Sequence, residues 1–155
     1  LKSGANVDAA KAVGEAIGIA RAAERSGLPY FISFVISRDG RVLDGTPLVT
    51  AIEQVDAATG RQPLGYMVNC AYPSFLCAAN QPPALFERLT GYLANASSLD
   101  HCDLDGSADL QGESVSDWGG AMLDLHGNYG VKILGGCCGT NAEHLRYLTH
   151  GRAKS

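Results

Sequence analysis

Tyr30-Phe31-Ile32-Ser33-Phe34-Val35-Ile36 is a nearly unbroken run of aromatic and β-branched residues, and its reading decides the fold. A strand covered on one face alternates apolar with polar residues, whereas a strand covered on both faces does not. The unbroken pattern belongs to parallel sheets whose crossover helices lie against them. Upstream, residues from about Ala5 to Arg25 carry Val7, Ala10, Val13, Ile17 and Ala20 at helical spacing, which predicts a helix stopped at Gly27 and Pro29. Downstream, Asp39-Gly40 and Asp44-Gly45 mark a loop. Pro47 opens a helix with Leu48, Ile52, Val55 and Ala58 that ends near Gly60.

The same unit recurs. Leu64-Gly65-Tyr66-Met67-Val68-Asn69-Cys70 reads as the next strand, followed by a loop with Pro73 and a helix opening at Pro82-Pro83. Tyr92-Leu93-Ala94 is a third strand, leading through a polar loop of residues 97–113 to a helix from Val115 to Leu125. Val131-Lys132-Ile133-Leu134 is the last strand, and Asn141 caps a final helix through Leu148. Strand starts spaced roughly 30 to 40 residues apart match one βα unit each. Four such units are half of a (β/α)8 TIM barrel, whose full length is about 250 residues. The opening helix then belongs to a preceding strand that is expected to be absent. A complete doubly wound sheet is the alternative, but no glycine-rich phosphate loop follows the first strand.

The chain of 155 residues is 46% hydrophobic and 18% charged with a formal charge of −4, the balance of one ordinary globular domain. With no run of Lys/Arg, nucleic acid is not an expected partner. The longest apolar run, Leu28 to Ile36, is about half of the roughly 20 residues a membrane span needs. No signal peptide is legible and the expected location is cytoplasmic. A start at Leu1 rather than Met is what a piece of a longer protein would show, and residues 1–155 are expected to form the carboxyl-terminal half of one barrel domain. Five cysteines, an odd number in a chain able to build a core, point to thiols or metal ligands rather than a disulfide framework.

Gly135-Gly136-Cys137-Cys138-Gly139-Thr140 is the sharpest local feature. Adjacent cysteines on a regular strand point to opposite faces, but the flanking glycines let the backbone leave strand geometry, so that both thiols can turn to one ion. Cys70 ends an earlier strand, and barrel active sites are assembled from such strand ends. Three thiolates leave the fourth tetrahedral position of Zn2+ open, and soft ligands favour zinc over Mg or Ca. Small buried thiols or a vicinal disulfide are the plain alternatives, as is a thiol-redox protein using Cys137-Cys138.

These residues resemble the homocysteine S-methyltransferases, zinc-dependent (β/α)8 enzymes whose module is shared with cobalamin-dependent methionine synthase and betaine-homocysteine methyltransferase. The resemblance rests on Val68-Asn69-Cys70 and on Gly135 to Thr140 followed by His144-Leu145, with weaker segments at Ile32-Ser33-Phe34, Asp44-Gly45 and Ala94-Asn95-Ala96-Ser97. It implies that Cys70, Cys137 and Cys138 are the zinc ligands. It also implies methyl transfer from a sulfonium, quaternary ammonium or methyl-cobalamin donor to the thiolate of homocysteine, giving methionine. The family holds the amino and carboxylate ends of homocysteine through an Asp-Gly near the amino terminus and a Glu-Thr at the fourth barrel strand, and neither is in place here. The parent protein is therefore the expected enzyme. This piece alone is expected to be inactive, partnered by the amino-terminal half of its own barrel or by a second copy. A non-catalytic zinc-binding scaffold is the alternative.

Among other residues, Asn69 is the expected substrate contact, and Ser33 and Asn95 are candidate pocket residues. Cys77 is expected to be core at a helix start, as are Met67 and Trp118. Cys102 sits in a polar loop. His126, His144 and His150 read as exposed or capping residues.

Overall fold

In the computed structural model, which describes residues 9–98 and 114–150, five strands form one sheet in sequential order and every pairing is parallel. The elements are β1 (Ala9–Ala10), α1 (Val13–Ser26), β2 (Phe31–Phe34), α2 (Leu48–Ala58), β3 (Gly65–Ala71), two 3-10 turns (Pro73–Leu76 and Ala78–Asn80), α3 (Pro83–Arg88), β4 (Leu89–Ala94), α4 (Val115–Tyr129), β5 (Ile133–Gly136) and α5 (Ala142–His150). Sequential order with a helix between strands is the arrangement of half a (β/α)8 barrel, as the spacing of the apolar runs predicts. A doubly wound sheet would reverse its strand order partway and this one does not.

The amino-terminal end differs from the reading of a continuous helix from Ala5. Ala9 and Ala10 pair in parallel with Ser33 and Phe34, so a strand precedes α1 after all. The helix begins at Val13, whose backbone N–H donates to Asp44 Oδ2 at 2.8 Å. Alanine fits a 3.6-residue and a 2-residue period alike, and the element is settled by a carboxylate 31 residues away. The run from Tyr30 is also shorter as a strand than its composition suggests. Beyond Phe34 the chain turns, and Ile36 forms an antiparallel bridge with Val42.

The strands present two distinct faces. Ile32, Phe34, Tyr66, Val68, Tyr92 and Ala94 pack under the helices against Ala16, Leu48, Ile52, Leu85, Trp118 and Met122. Each large apolar side chain so covered contributes about 1.5–3 kcal/mol. Ser33, Met67, Asn69, Gly91, Leu93, Ile133 and Gly135 occupy the other face by strand alternation and register. A Cβ on Gly91 would lie 2.5 Å from Met67 Cε and 3.2 Å from Ile133 Cβ, so this glycine lets the Met67 side chain lie across the sheet. Ile133 on that face is 41% exposed.

One ion pair ties the helical layer to the sheet. Arg88 at the end of α3 donates from Nε to Asp56 Oδ2 at 3.1 Å and from a terminal nitrogen to Asp56 Oδ1 at 2.9 Å. Tyr66 OH on β3 donates to the same Oδ1 at 2.8 Å.

Candidate metal centre

The carboxyl ends of β3 and β5 meet because β4 lies between them. On β3, strict alternation would aim Asn69 at the face opposite the helices and Cys70 under the helices. The register breaks at this point: Asn69 pairs with Leu93, while Ala71 pairs with Ala94. Cys70 is the extra residue of a bulge, with φ at 55°. Ala71 takes the buried place beneath the helices, at 0% exposed, and Cys70 is released from the pleat.

On β5, Cys137 N–H donates to Ala94 O at 2.7 Å, so the chain stays beside β4 one residue beyond the strand. A tight turn follows, in which Thr140 N–H and Thr140 Oγ1 both donate to Cys137 O, at 3.3 and 2.7 Å. Gly139, third in the turn, has φ at 76° while Cys138 before it has no positive φ, the pattern of a type II turn that calls for glycine. A Cβ on Gly136 would lie 2.1 Å from Thr140 Oγ1, so Gly136 clears the space the threonine fills. Cys138 N–H donates to Asn95 Oδ1 at 3.2 Å, and Cys138 O accepts from Ala96 N–H at 2.9 Å.

The result is a cluster of three sulfurs that all lie within 4.8 Å of one another. Cys70 Sγ is 3.0 Å from Cys137 Sγ, which is 3.9 Å from Cys138 Sγ. Three thiolates at about 2.3 Å from a tetrahedral zinc lie about 3.8 Å apart, so the observed spread brackets what that ion needs. Among the described residues, no fourth Cys, His, Asp or Glu joins the group. The donor set therefore fits a cation held by three soft ligands with one position free.

Without a cation, Cys70 and Cys138 hold their protons more tightly than free thiols. Burial, and then the hydrogen bond with Cys137, push the Cys70 thiol up to about 12, while the Asn69 amide works in the opposite direction. Burial, followed by the neighbouring Cys137 charge, also raises Cys138. A divalent ion at the centre inverts this balance, because a coordinating thiol is deprotonated.

The remaining singled-out residues fall in several places. Ser33 is fully buried and donates to Asn69 Oδ1. Asn95, also buried, holds the ligand turn rather than an open pocket: its Oδ1 takes Cys138 N–H, and its carbonyl accepts from Trp118 Nε1 at 2.9 Å. Trp118 and Met67 are buried, as their apolar settings predict. Cys77 departs from the core reading. It is partly exposed between the two 3-10 turns with φ at 50°, and its thiol donates to Arg38 O.

His144 is buried rather than exposed, yet it caps: Asn141 N–H donates to its Nδ1 at 3.3 Å at the start of α5. It is 5% exposed, meets the Trp118 ring edge-to-face at 4.9 Å, and approaches Asn141 Oδ1 at 3.0 Å through Nδ1. Asn141 caps α5 as expected, accepting from Glu143 N–H at 2.9 Å. His126 and His150 lie in the last turns of their helices, with Nδ1 atoms 2.8 Å from Val131 O and 2.9 Å from Arg146 O. Cys102 and the polar loop around it lie outside the described residues. The bracing roles of Thr140 and Asn95 go beyond what the residues suggest by themselves. The Gly-Thr after Cys138 is the signal that points to the first.

Fold and site together define a class: a parallel βα half-barrel with a three-thiol centre at the carboxyl ends of its strands. The family profile described as homocysteine S-methyltransferase matches residues 5–150, nearly the whole chain and both segments of the sulfur cluster, and the chain belongs to that family. A search of curated proteins returned no match. Among the described residues no helix is long and apolar enough to cross a membrane.

Proposed function

We propose that this chain is the zinc-holding, carboxyl-terminal half of a homocysteine S-methyltransferase barrel. Its full-length parent moves a methyl group from an activated donor to the sulfur of homocysteine, giving methionine. The observation that carries the reading is the set of three sulfurs, from two separate strand ends, within 4.8 Å of one another. Cys70, Cys137 and Cys138 would hold the ion, and a bound zinc would supply a Lewis acid that keeps the substrate sulfur ionised at neutral pH.

The turn braced by Thr140 and Asn95 keeps Cys137 and Cys138 on one side of the site, and the bulge turns Cys70 toward them. Asn69, next to Cys70 and hydrogen-bonded to its sulfur, is the proposed substrate contact. With the substrate sulfur already ionised and its proton released to solvent, it would form its bond to the methyl carbon as the donor's own bond to the methyl breaks, and no side-chain base is required. The amino and carboxylate ends of homocysteine need groups beyond those gathered here. The amino-terminal half of the same barrel, or a second copy, would supply them, and residues 1–155 alone are expected to be inactive. A reducing compartment such as the cytoplasm suits a site built from free thiols.

Metal analysis of the reduced protein tests the first part. One equivalent of zinc, lost in Cys70→Ala and Cys138→Ala, supports the reading, and zinc absent from reduced protein overturns it. For the second part, the full-length parent is given homocysteine with sulfonium, quaternary ammonium and methyl-cobalamin donors in turn. Methionine from one of them is the expected result, and none from any would favour a scaffold role.

A further inference from the structure

Behind the sulfur cluster stand two buried polar side chains, joined end to end. Ser33 on β2 is fully buried, and its Oγ donates to Asn69 Oδ1 at 2.5 Å. The other end of that amide, Nδ2, donates to Cys70 Sγ at 3.1 Å. The sheet makes this line possible: Ser33 is in register with Met67, so Asn69 is the next residue along β3 on the same face.

Two physical arguments give the line a purpose. The bulge takes Cys70 out of the ladder, so the pleat no longer decides where its side chain points, and something else has to hold it. Among the described residues, the Asn69 amide is the side-chain donor that reaches this sulfur from outside the three cysteines. An amide also has two unlike ends. A cation-binding thiolate can only accept, so it must meet the N–H end, and a serine hydroxyl donating to the carbonyl end selects that orientation.

We propose that Ser33 and Asn69 are positioning residues that aim the Cys70 sulfur and withdraw electron density from it through an N–H···S hydrogen bond. The inference rests on the metal-ligand role of the three cysteines. Such outer partners commonly change metal affinity by about 10–100-fold. Losing the N–H donor leaves the sulfur richer in electrons, which moves a sulfur-to-metal charge-transfer band to lower energy. A purely structural role would weaken binding without moving that band.

Cobalt(II) titration of the reduced chain, followed by absorbance, separates these outcomes. Asn69→Ala is expected to bind about 10–100-fold more weakly, with its charge-transfer band shifted to lower energy. Ser33→Ala keeps the amide but frees it to rotate, so a smaller change in the same direction is expected; it decides the matter if Asn69→Ala does not fold. Weaker binding with an unmoved band in the folded variants, or wild-type behaviour in both, overturns the positioning role alone. Absence of any sulfur-to-cobalt band in the wild-type chain overturns the metal reading and this inference with it.

Discussion

A residue other than glycine in the left-handed region costs roughly 1–2 kcal/mol, and Cys70 sits there with φ at 55°. The position trades stability for the placement of one sulfur. Cys70→Gly should abolish stoichiometric metal binding without lowering the melting temperature of the metal-free chain, a comparison that calorimetry and metal analysis make directly. The pH dependence follows from the protons that Cys70 and Cys138 hold. Because the folded thiol of Cys70 is raised from its ordinary 9.0 to about 12, its contribution to metal-free stability is present below pH 9 and lost as pH rises toward 12. Metal binding runs the other way. It must displace those protons, so zinc affinity should rise with pH and binding should release protons measurable by titration in weak buffer. At Gly136, where a Cβ would meet Thr140 Oγ1 at 2.1 Å, alanine should distort the ligand turn, costing about 1–3 kcal/mol and weakening the metal site together.

At the scale of elements, the ligand turn is secured from behind by α4. Trp118 is fully buried and its Nε1 holds the carbonyl of Asn95, whose side chain in turn holds Cys138 N–H. Trp118→Phe keeps most of the apolar area but leaves that carbonyl unpaired. A loss of about 1–3 kcal/mol is expected in denaturant unfolding, with weaker metal binding. The ion pair of Asp56 and Arg88, shared with Tyr66, makes the useful contrast. Asp56→Ala should destabilise by a similar amount, because it leaves a half-buried guanidinium with the Pro63 carbonyl but no carboxylate, yet it should leave the metal stoichiometry of the folded protein unchanged.

At the scale of the molecule, the unequal covering of the sheet is the dominant feature. Among the described residues one face is closed by helices, while on the other Ser33 and Met67 are buried, Leu93 is partly exposed and Ile133 is 41% exposed, so the cover gives out toward β5. In a closed barrel such a face is interior. The reduced chain is therefore expected to associate with concentration in sedimentation experiments, and Ile133→Lys should shift it toward monomer.

Much of this was legible in the residues alone. The apolar runs from Tyr30, Leu64 and Tyr92 announce parallel strands because they show no polar alternation, while the run from Val131 is realised two residues later, as Ile133–Gly136 at a less covered edge. Gly135-Gly136-Cys137-Cys138-Gly139-Thr140 announces a turn with two thiols because glycine is needed where the backbone leaves the strand. Those patterns determined the βα order and the three sulfurs to consider, since both are carried by neighbours in the chain. What only the tertiary structure decided depends on partners distant in sequence. Ala9–Ala10 is a strand because β2 pairs with it, and α1 starts at Val13 because Asp44 reaches its N–H. Cys70 faces Cys137 because β4 pairing across Asn69 and Ala71 forces a bulge between them. Hydrogen bonds across a sheet compete with local preference, and no local pattern states which will win.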